Sequence, residues 1–522
     1  MAKNRLGPLG AIAGIVAITA TIPLAFVIYN SAQLSAAKWA GLWSNRLPEL
    51  IGNTVSLALL VIVLCLIIAV PSAWLVARRE FAGRRLAVWL LVLPLSIPTY
   101  VFAYIYTVLL EDDGWLGGAI QQLFGEGAGI NIYSLGGVAL MLALATFSYV
   151  FLLAYTAFSD SRQSLEDAAR IHGASRFQAF SRISLPLIRP ALAAGVAVVV
   201  LHVFSDFGAV SMLRYQTFTL SIYLQMSGRF DYQAAAGLSL ILVITSLSFL
   251  ILERFFRSRQ RYYADAQSQQ VRRRRAGTGE TLMIWAWLGT VALLAFVIPL
   301  SWMLTWTYEA FVADMIDATF FRYAFNTGVV SFLAATVAVM VAVPIGLFHT
   351  QMRSWVSNTY VQLSSVGVVL PGPVVALGVM TFMIATLPVL YGTLVALVAA
   401  LVVRFLPLAI QSQESAFQQL MPSVVLAGRI HGAGPLQNLW RVITPMIRNG
   451  MVTAWVLVFI DVLKELPATL MLRPVGFDTL PVRIWIEASE EMLELAAPSA
   501  LTLVLGTLPA LWIMMRSQVY RR

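Results

Sequence analysis

Apolar runs of about the length of a membrane span recur along this chain, separated by shorter polar segments. A helix needs roughly 20 apolar residues to cross a hydrocarbon core of about 30 Å. The runs lack the period-two alternation of membrane β-strands, which argues against a barrel. The pattern predicts twelve helical spans, near residues 9–29, 54–77, 87–110, 134–158, 190–212, 235–252, 282–307, 327–349, 362–386, 388–411, 449–472 and 496–515.

The composition agrees with a chain that lies mostly in lipid. Hydrophobic residues make up 59% of the 522 positions, charged residues 11%, and the mean hydropathy is +0.80. The first apolar run is longer than the core of a typical signal peptide, so we expect an uncleaved first span. The lone cysteine, Cys65, excludes an internal disulfide. We therefore predict an all-α integral membrane protein.

The charged residues indicate how the spans are oriented. The net charge of +10 arises from arginines that cluster in alternate connections, with eight of them between residues 254 and 275. The intervening connections near residues 111–113, 314–317 and 487–494 are acidic instead. By the positive-inside rule the arginine-rich connections and both termini are predicted to face the cytoplasm. The positive charge is thus assigned to topology and contact with membrane lipid, and no nucleic-acid partner is expected.

Several residues that mark fixed positions in the first six predicted spans, here called landmarks, recur at matching positions in the last six. Because both halves begin on the same side of the membrane, the repeat is predicted to be parallel, with its pseudo-two-fold axis along the membrane normal. We assign residues 1–253 to the first half, 254–280 to an arginine-rich cytoplasmic linker and 281–522 to the second half. The paired landmarks are Asn53 with Asn326, Thr54 with Thr327, Pro71 with Pro344, Leu93 with Leu370, and Pro94 with Pro371.

Two polar loops, within residues 164–189 and 423–448, are near copies of each other. Residues 168–189 and 427–448 share 11 of 22 positions when they are aligned without a gap at an offset of 259. A single loop of this kind would be interpreted as a hairpin that only links two spans. Two polar copies, better matched than the apolar spans around them, favour recognition by another protein.

The first loop is predicted to form a helix, a turn and a second helix. The acidic residues that follow Ser164 resemble a capping box and suit the positive end of a helix dipole. The first helix should cover 168–172 and end at Gly173, and the second should cover 176–184 and stop before Pro186. Close approach of another protein would be allowed by the small residues Ala168, Ala169 and Gly173.

These loops resemble the EAA loop of the permease subunits of ABC importers, and the resemblance extends over essentially the whole chain. The first copy has the acidic residue, the alanines, the glycine and the Ile-x-Leu-Pro of that motif at Glu166, Ala168, Ala169, Gly173, Ile183, Leu185 and Pro186. The second copy keeps Gly432 and Pro445 but departs from the motif at Val425, Gly428, Val442 and Thr444. Because the second copy lacks the acidic residue, we expect the two loops to dock unequally.

In that family the loop contains the coupling helix, which docks on a separate ATP-binding subunit. The resemblance implies two copies of an ABC ATPase on the cytoplasmic side, an extracytoplasmic solute-binding protein, and a location in the bacterial cytoplasmic (inner) membrane. It also implies that ATP and Mg²⁺ bind to the ATPase and that this chain binds no cofactor. The implied docking residues are Glu166, Ala168, Ala169, Arg170, His172 and Gly173, and Ala427, Arg429, His431 and Gly432.

Residues 461–485 and 206–212 resemble the corresponding regions of fused, two-halved permeases of ferric iron importers. Relatives of related architecture carry thiamine, phosphonates, sulfate, molybdate or polyamines. The resemblance therefore favours ferric iron as the cargo. Thiamine, phosphonate or another small solute remains the alternative.

Charged residues near the end of the eleventh predicted span are candidates for the translocation path. Asp461, Lys464 and Glu465 have spacings that place both later residues beside Asp461 on one helix face. Asp206 lies at the position equivalent to Glu465, at the offset of 259. The residues form either a wall of the path or an internal ion pair that fixes helix packing, because charge in a membrane is costly unless it faces protein or water.

The sequence gives little indication of metal binding or catalysis. His172 and His431 have no companion ligands for a metal. His202 and His349 are expected to be core residues, and Arg404 is expected to snorkel or to be paired rather than to bind a ligand. None of the three lysines lies in a phosphate-binding loop, so the chain is not expected to hydrolyse ATP or to be an enzyme. An ion-coupled secondary transporter and a membrane-bound enzyme remain as further hypotheses. The first would need carboxylate relays without paired docking loops, and the second would need a catalytic cluster.

Overall fold

The computed structural model describes residues 8–125, 129–160, 163–258, 273–352, 354–420, 427–428 and 430–519, and most of these residues are helical. The only β-structure in these ranges is one parallel pair of two-residue strands. The predicted all-α class is confirmed.

In the first half, a 3₁₀ turn (Leu93–Ser96) follows α4 and a π turn (Phe180–Ser184) follows α9. The helices are α1 (Pro8–Ala32), α2 (Ala36–Asn45), α3 (Leu47–Arg78), α4 (Arg84–Val92), α5 (Thr99–Leu110), α6 (Trp115–Phe124), α7 (Leu135–Asp160), α8 (Gln163–Ile171), α9 (Arg176–Ala179), α10 (Leu185–Leu187), α11 (Arg189–Ser205), α12 (Gly208–Met212), α13 (Phe218–Ser227) and α14 (Tyr232–Ser258).

The second half repeats this order, with 3₁₀ turns at Val366–Val368 and Pro388–Leu390 and π turns at Leu293–Val297 and Leu439–Ile443. The helices are α15 (Thr278–Ala292), α16 (Ile298–Val312), α17 (Ala318–Met352), α18 (Trp355–Ser364), α19 (Gly372–Thr386), α20 (Leu394–Gln418), α21 (Pro435–Asn438), α22 (Thr444–Leu463), α23 (Pro467–Leu472), α24 (Leu480–Ser489) and α25 (Leu493–Val519).

The described residues contain nine helices that are long and apolar enough to cross a membrane, and up to twelve spans if three bent pairs each count as one. These regions coincide with the predicted apolar runs. The bent pairs are 84–96 with 99–110, at 98°, 177–187 with 189–205, at 66°, and 355–368 with 372–386, at 109°. The sequence predicted the number of apolar segments but not that the third would be sharply bent.

The third and ninth spans bend at equivalent places. In each, a 3₁₀ turn is followed by a proline that caps the next helix, Pro98 before α5 and Pro371 before α19. Their offset, 371 − 98 = 273, equals that of Asn53 and Asn326. Pro98 is thus the counterpart of Pro371, and the predicted pairing with Pro94 is wrong. The sequence misled because two prolines lie close together in the first half.

The fifth and eleventh predicted spans end earlier than expected. Helix α11 ends at Ser205 and α22 ends at Leu463, and each is followed by a short separate helix, α12 or α23. The breaks fall where the sequence places charged groups. Non-helical backbone at membrane depth is tolerated where protein or a water-filled cavity surrounds it, so both breaks point to an internal polar region.

The first helix of each half packs across the other half. Helix α1 packs on α17, α18 and α19, and α15 packs on α3 and α4. A Cβ atom on Gly378 would lie 2.3 Å from the carbonyl oxygen of Pro23, so the contact between α1 and α19 requires a glycine there. On the other side, Trp287 donates a hydrogen bond of 3.0 Å from Nε1 to Ser72 Oγ. The two halves therefore share one packed core.

The end of the predicted linker is bound to the first half. Strand β1 (Arg79–Glu80) pairs in parallel with β2 (Arg274–Arg275), and Arg79 Nε lies 2.7 Å from Glu280 Oε1. Trp285 Nε1 donates to the carbonyl of Ala82 at 2.9 Å. Helices α14 and α15 extend into the range predicted as linker, and residues 259–272 lie outside the described residues.

Side-chain contacts group the segments that connect the helices on two faces of the molecule. The Arg78 end of α3, the first polar loop and the end of the linker lie on one face, joined by ion pairs. Leu9 at the start of α1 packs with Phe417 and Ile443 near the second polar loop. On the other face, Lys38 of α2 forms an ion pair of 2.7 Å with Asp231, which directly precedes α14. This grouping is the one predicted from the arginines, and its assignment to the cytoplasm stays a prediction.

Candidate functional site

The two polar loops form the same turn in both halves. Helix α8 ends before Gly173, which has φ +90°, and the amide of Ala174 donates to the carbonyl of Ala169 at 3.0 Å. In the second loop Gly432 has φ +81°, and the amide of Ala433 donates to the carbonyl of Gly428 at 3.0 Å. Glycine adopts this left-handed conformation without steric cost. A hydrogen bond from an amide to the carbonyl five residues earlier is typical of a helix C-terminus. The predicted end at Gly173 is confirmed.

Beyond the turn, each loop leads directly into a membrane helix. The amide of Gln178 donates to Ser175 Oγ at 3.2 Å, and the amide of Ser175 donates to Gln178 Oε1 at 2.9 Å, which fixes the start of α9. The helix then continues through the π turn and past Pro186, so the predicted stop before Pro186 is wrong. A π turn relaxes the regular i→i−4 bonding that a proline would interrupt. The predicted cap at Ser164 is also wrong, because α8 already begins at Gln163.

Both loops present an exposed isoleucine at the same position. Ile171 is 85% exposed, and its counterpart Ile430 is 83% exposed. An apolar side chain so exposed, at matching positions of two polar loops, is typical of a protein interaction site. The predicted docking residues that surround these isoleucines are exposed or partly exposed: Ala168, Ala169, Arg170, His172, Gly173, Ala427, His431 and Gly432. Arg429 lies outside the described residues.

Glu166 contacts another part of its own chain, the end of α3. Its Oε1 is 2.6 Å from Nη2 of Arg78, whose side chain is only 3% exposed, while that of Glu166 is 16% exposed. This ion pair fastens the first loop to the end of α3. In the second half both partners are replaced, by Gln351 at the offset of 273 and by Val425 at the offset of 259. The two loops therefore differ in how they are held.

A cavity of about 330 Å³, lined by charged and apolar side chains of both halves, lies between the two halves. The bends of the third and ninth spans and the ends of α11 and α22 line it. All four predicted path residues, Asp206, Asp461, Lys464 and Glu465, are among the lining residues. The breaks in the spans thus lie together around one internal space.

Asp206 holds the break in the first half together. Its Oδ1 accepts from the amides of Ala209 at 3.0 Å and Val210 at 3.2 Å, and its Oδ2 accepts from Thr99 Oγ1 at 2.5 Å. The carboxylate therefore caps α12 and ties it to the start of α5. These bonds satisfy backbone donors that the break in the span leaves free.

Glu465 performs the same capping in the second half with a different partner. Its Oε1 accepts from the amide of Ala468 at 3.2 Å, and its Oε2 lies 3.1 Å from Nε of Arg404. The pair is largely buried, with side chains 15% and 6% exposed for Arg404 and Glu465. Asp206 and Glu465 thus both accept amides at the start of a short helix, and Arg404, expected to snorkel or to be paired, forms an ion pair. A Cβ on Gly372 would lie 2.8 Å from Glu465 Oε1 and 3.0 Å from Arg404 Nη1, so the pair fits closely against α19.

Lys464 and Asp461 form a looser pair. Lys464 Nζ lies 4.0 Å from Asp461 Oδ1 and donates to the carbonyl of Leu95 at 3.1 Å. The Asp461 side chain is 43% exposed. The prediction that Glu465 lies beside Asp461 on one helix face is wrong, because α22 ends at Leu463 and Glu465 turns toward Arg404 instead.

His202 and Tyr149 also line the cavity, and the sequence interpretation missed both. His202 was expected to be a core residue, but its Nε2 lies 3.0 Å from the hydroxyl of Tyr149 at the cavity wall. The signal available in the sequence was the offset of 259, at which His202 is the counterpart of Asp461. No group of three or more His, Cys, Asp or Glu residues is arranged to hold a metal within the described ranges.

Two matching exposed loops, each leading into a helix that ends at a central cavity, are the arrangement of a two-halved membrane transport subunit. Residues 69–262 and 342–518 both match the family described as binding-protein-dependent transport system inner membrane component. The chain belongs to this family. It is accordingly a multi-pass inner-membrane protein in which two family units are fused, and the members it matches are transport permeases rather than enzymes.

Several curated permeases are similar to the chain. The Fe(3+)-transport system permease protein FbpB 2 of Haemophilus influenzae is 26% identical over 491 residues, which cover 93% of each chain. The molybdenum transport system permease protein ModB of the same species is 31% identical over 198 residues, 37% of this chain and 85% of its own. The sulfate transport system permease protein CysW of Synechocystis is 29% identical over 211 residues, 40% of this chain and 75% of its own.

Replacing Arg404 tests whether the buried pair stabilises the fold through charge. In an Arg404→Leu variant the Glu465 carboxylate stays buried without its cation, and we expect a loss of about 3–5 kcal/mol in stability. The double variant Arg404→Leu with Glu465→Gln removes the charge and keeps an oxygen for the Ala468 amide, so it should recover most of that loss. Thermal unfolding of the purified protein in detergent measures both. A double variant as unstable as Arg404→Leu would show that Arg404 acts through packing instead.

Reversing the charge of Glu166 tests the attachment of the first loop. Glu166→Lys places a second cation against the buried Arg78, and breaking such a pair costs about 3–5 kcal/mol. We expect binding-protein-stimulated ATP hydrolysis by the assembled complex to fall several-fold, and the exchange Arg78→Glu with Glu166→Arg to restore part of it. Val425→Lys, at the equivalent position of the second loop, is the control and should have a smaller effect. Equal losses in Glu166→Lys and Val425→Lys would contradict unequal docking.

Proposed function

We propose that this chain is the fused transmembrane subunit of an ATP-driven importer of ferric iron, with two docking sites for a separate ABC ATPase. The observation that carries the proposal is the direct connection between each docking loop and the cavity. The loop containing Ile171 leads through α11 to His202 and Asp206, and the loop containing Ile430 leads through α22 to Asp461 and Glu465. Movement imposed at either loop is thereby transmitted to the cavity wall.

The proposed mechanism is alternating access. ATP and Mg²⁺ bind to two ATPase copies on the cytoplasmic side, and closure of that pair draws the two loops together. Because α11 has 17 residues, it extends about 25 Å from loop to cavity at 1.5 Å per residue. A rigid rod of this length carries a displacement of the loop to the bent spans. Nucleotide then shifts the population between states that are open to opposite sides.

The two docking sites are proposed to be unequal in stiffness. The first loop is fastened to α3 by the ion pair of Arg78 and Glu166, whereas Gln351 and Val425 occupy the equivalent positions of the second half. We propose that the first loop moves together with α3 and that the second is freer to adjust to its ATPase.

We also propose that both termini lie in the cytoplasm with the loops, in agreement with the positive-inside rule.

Two findings support ferric iron as the cargo. The relative that matches 93% of this chain, in the same fused arrangement, is a Fe(3+)-transport permease. The cavity is also lined by three carboxyl groups, Asp206, Asp461 and Glu465, and by two basic side chains, Arg404 and Lys464. The surplus carboxylate favours a cation over sulfate or molybdate, because opposite charges attract strongly where little water screens them. The cargo is proposed to arrive on an extracytoplasmic solute-binding protein.

The turn at Gly432 offers a matched test of docking. Gly432→Val forces a branched side chain into the left-handed conformation, at a cost of about 1–2 kcal/mol, and should displace Ile430. Gly434→Val, two residues away, is the control, because a side chain there meets open space and the backbone is not left-handed. We expect ATP-driven uptake to be lost in the first variant and kept in the second, at equal expression. Normal uptake in both variants would contradict a docking role for this turn.

Uptake into proteoliposomes tests the cargo. The chain is reconstituted with its ATPase and binding protein, and labelled ferric iron, sulfate, molybdate and thiamine are supplied in parallel. We expect accumulation of iron alone, and only with hydrolysable ATP inside. Accumulation of another solute without iron would overturn the cargo assignment. Uptake driven by a proton or sodium gradient, with no ATPase subunit co-purifying, would overturn the importer mechanism.

A further inference from the structure

Tyr149 and His202 form a pair whose arrangement suits metal binding. His202 Nδ1 lies 3.1 Å from the carbonyl oxygen of Val198, and His202 Nε2 lies 3.0 Å from the hydroxyl of Tyr149. A carbonyl can only accept, so Nδ1 carries the ring proton and Nε2 presents its lone pair toward Tyr149. Metal-binding histidines typically donate their second nitrogen to a backbone carbonyl in this way.

The spacing of the two donor atoms fits one ion. Two ligands that are each about 2.0–2.1 Å from an ion and at a right angle to each other are separated by roughly 2.9 Å. The Tyr149 oxygen and His202 Nε2, at 3.0 Å, therefore already lie at the separation of adjacent ligands. Both residues line the cavity between the halves, where an ion can reach them.

Asp461 supplies a carboxylate from the second half. It is the counterpart of His202 at the offset of 259 and lines the same cavity from the second half. Its side chain is 43% exposed, and its contact with Lys464, at 4.0 Å, is longer than a charge-assisted hydrogen bond. Asp206 and Glu465, in contrast, are engaged in capping helices. Asp461 is thus the carboxylate that a passing cation can bind.

We propose that Tyr149, His202 and Asp461 form a three-ligand transit site for a ferric ion at the interface of the two halves. A phenolate oxygen, a carboxylate oxygen and an imidazole nitrogen are ligands suited to iron. On binding, the Tyr149 O–H bond breaks, an Fe–O bond forms, and one proton passes to cavity water, while water fills the remaining positions. The site rests on the proposed function. Because two ligands come from the first half and one from the second, separation of the halves takes the ligand set apart and releases the ion.

The test uses the absorption that a tyrosine phenolate bound to Fe³⁺ produces in visible light. The purified chain in detergent is titrated with ferric nitrilotriacetate, and Ga³⁺ nitrilotriacetate, which gives no such band, serves as competitor. We expect a visible band that Ga³⁺ removes and that Tyr149→Phe abolishes. Tyr155→Phe is the matched control, since Tyr155 lies on the same helix but packs against Phe151 away from the cavity. Asp461→Asn should raise the half-saturating iron concentration about 10-fold or more.

The possible outcomes distinguish a failure of this site from a failure of the proposed cargo assignment. A band that depends on Tyr149, together with slower iron uptake by the Tyr149→Phe complex, supports the site. Absence of the band in a wild-type chain whose complex imports iron overturns the site and leaves the proposed function standing. A band that persists in Tyr149→Phe overturns the site as well. A band that depends on Tyr149, in a complex that does not import iron, supports the site and overturns iron as cargo. Monodisperse elution of each variant shows that it is folded.

Discussion

The arrangement of this protein depends on one constraint: backbone polar groups exposed by a break in a membrane helix must find partners without bulk water. The chain breaks its spans around a common centre, and carboxylates meet the constraint there. Asp206 accepts two amides at the start of α12, and Glu465 accepts one at the start of α23. The carboxyl groups that satisfy the backbone at the breaks are therefore the same groups that line the cavity.

The two halves meet this constraint differently, and the asymmetry explains much of the site. In the first half the second partner of the carboxylate is the neutral Thr99, whereas in the second half it is the cation Arg404. The second wall of the cavity therefore carries the ion pairs, and the first carries Tyr149 and His202 beside the carboxyl group of Asp206. A duplicated fold has in this way produced a cavity with different side chains on each wall. The same contrast recurs at the loops, where Glu166 is tied to Arg78 and the second half has no equivalent ion pair at those positions.

The helices that follow the loops connect these two asymmetric regions. Each π turn carries the chain past a proline, so that loop and span are continuous at Pro186 and Pro445. The first half has an additional proline, Pro190, and its span bends by 66° there, while residues 439–463 form one span. A proline removes a backbone donor and pushes against the preceding turn. The first rod is therefore bent where the second is straight, which adds to the difference between the docking sites.

The sequence by itself determined that the chain lies in a membrane, how many apolar segments it has, that its halves repeat, and where each loop turns. Hydropathy and glycine preference are local properties, so they can be read from neighbouring residues, as at Gly173 and Gly432. Only the tertiary structure decided which polar side chains meet. Tyr149, His202 and Asp461 are separated by up to 312 positions and share a cavity only because the halves pack around one axis. Pro98 and the break after Leu463 were misread because a helix ends where its neighbours can satisfy its backbone, and those neighbours are remote in sequence.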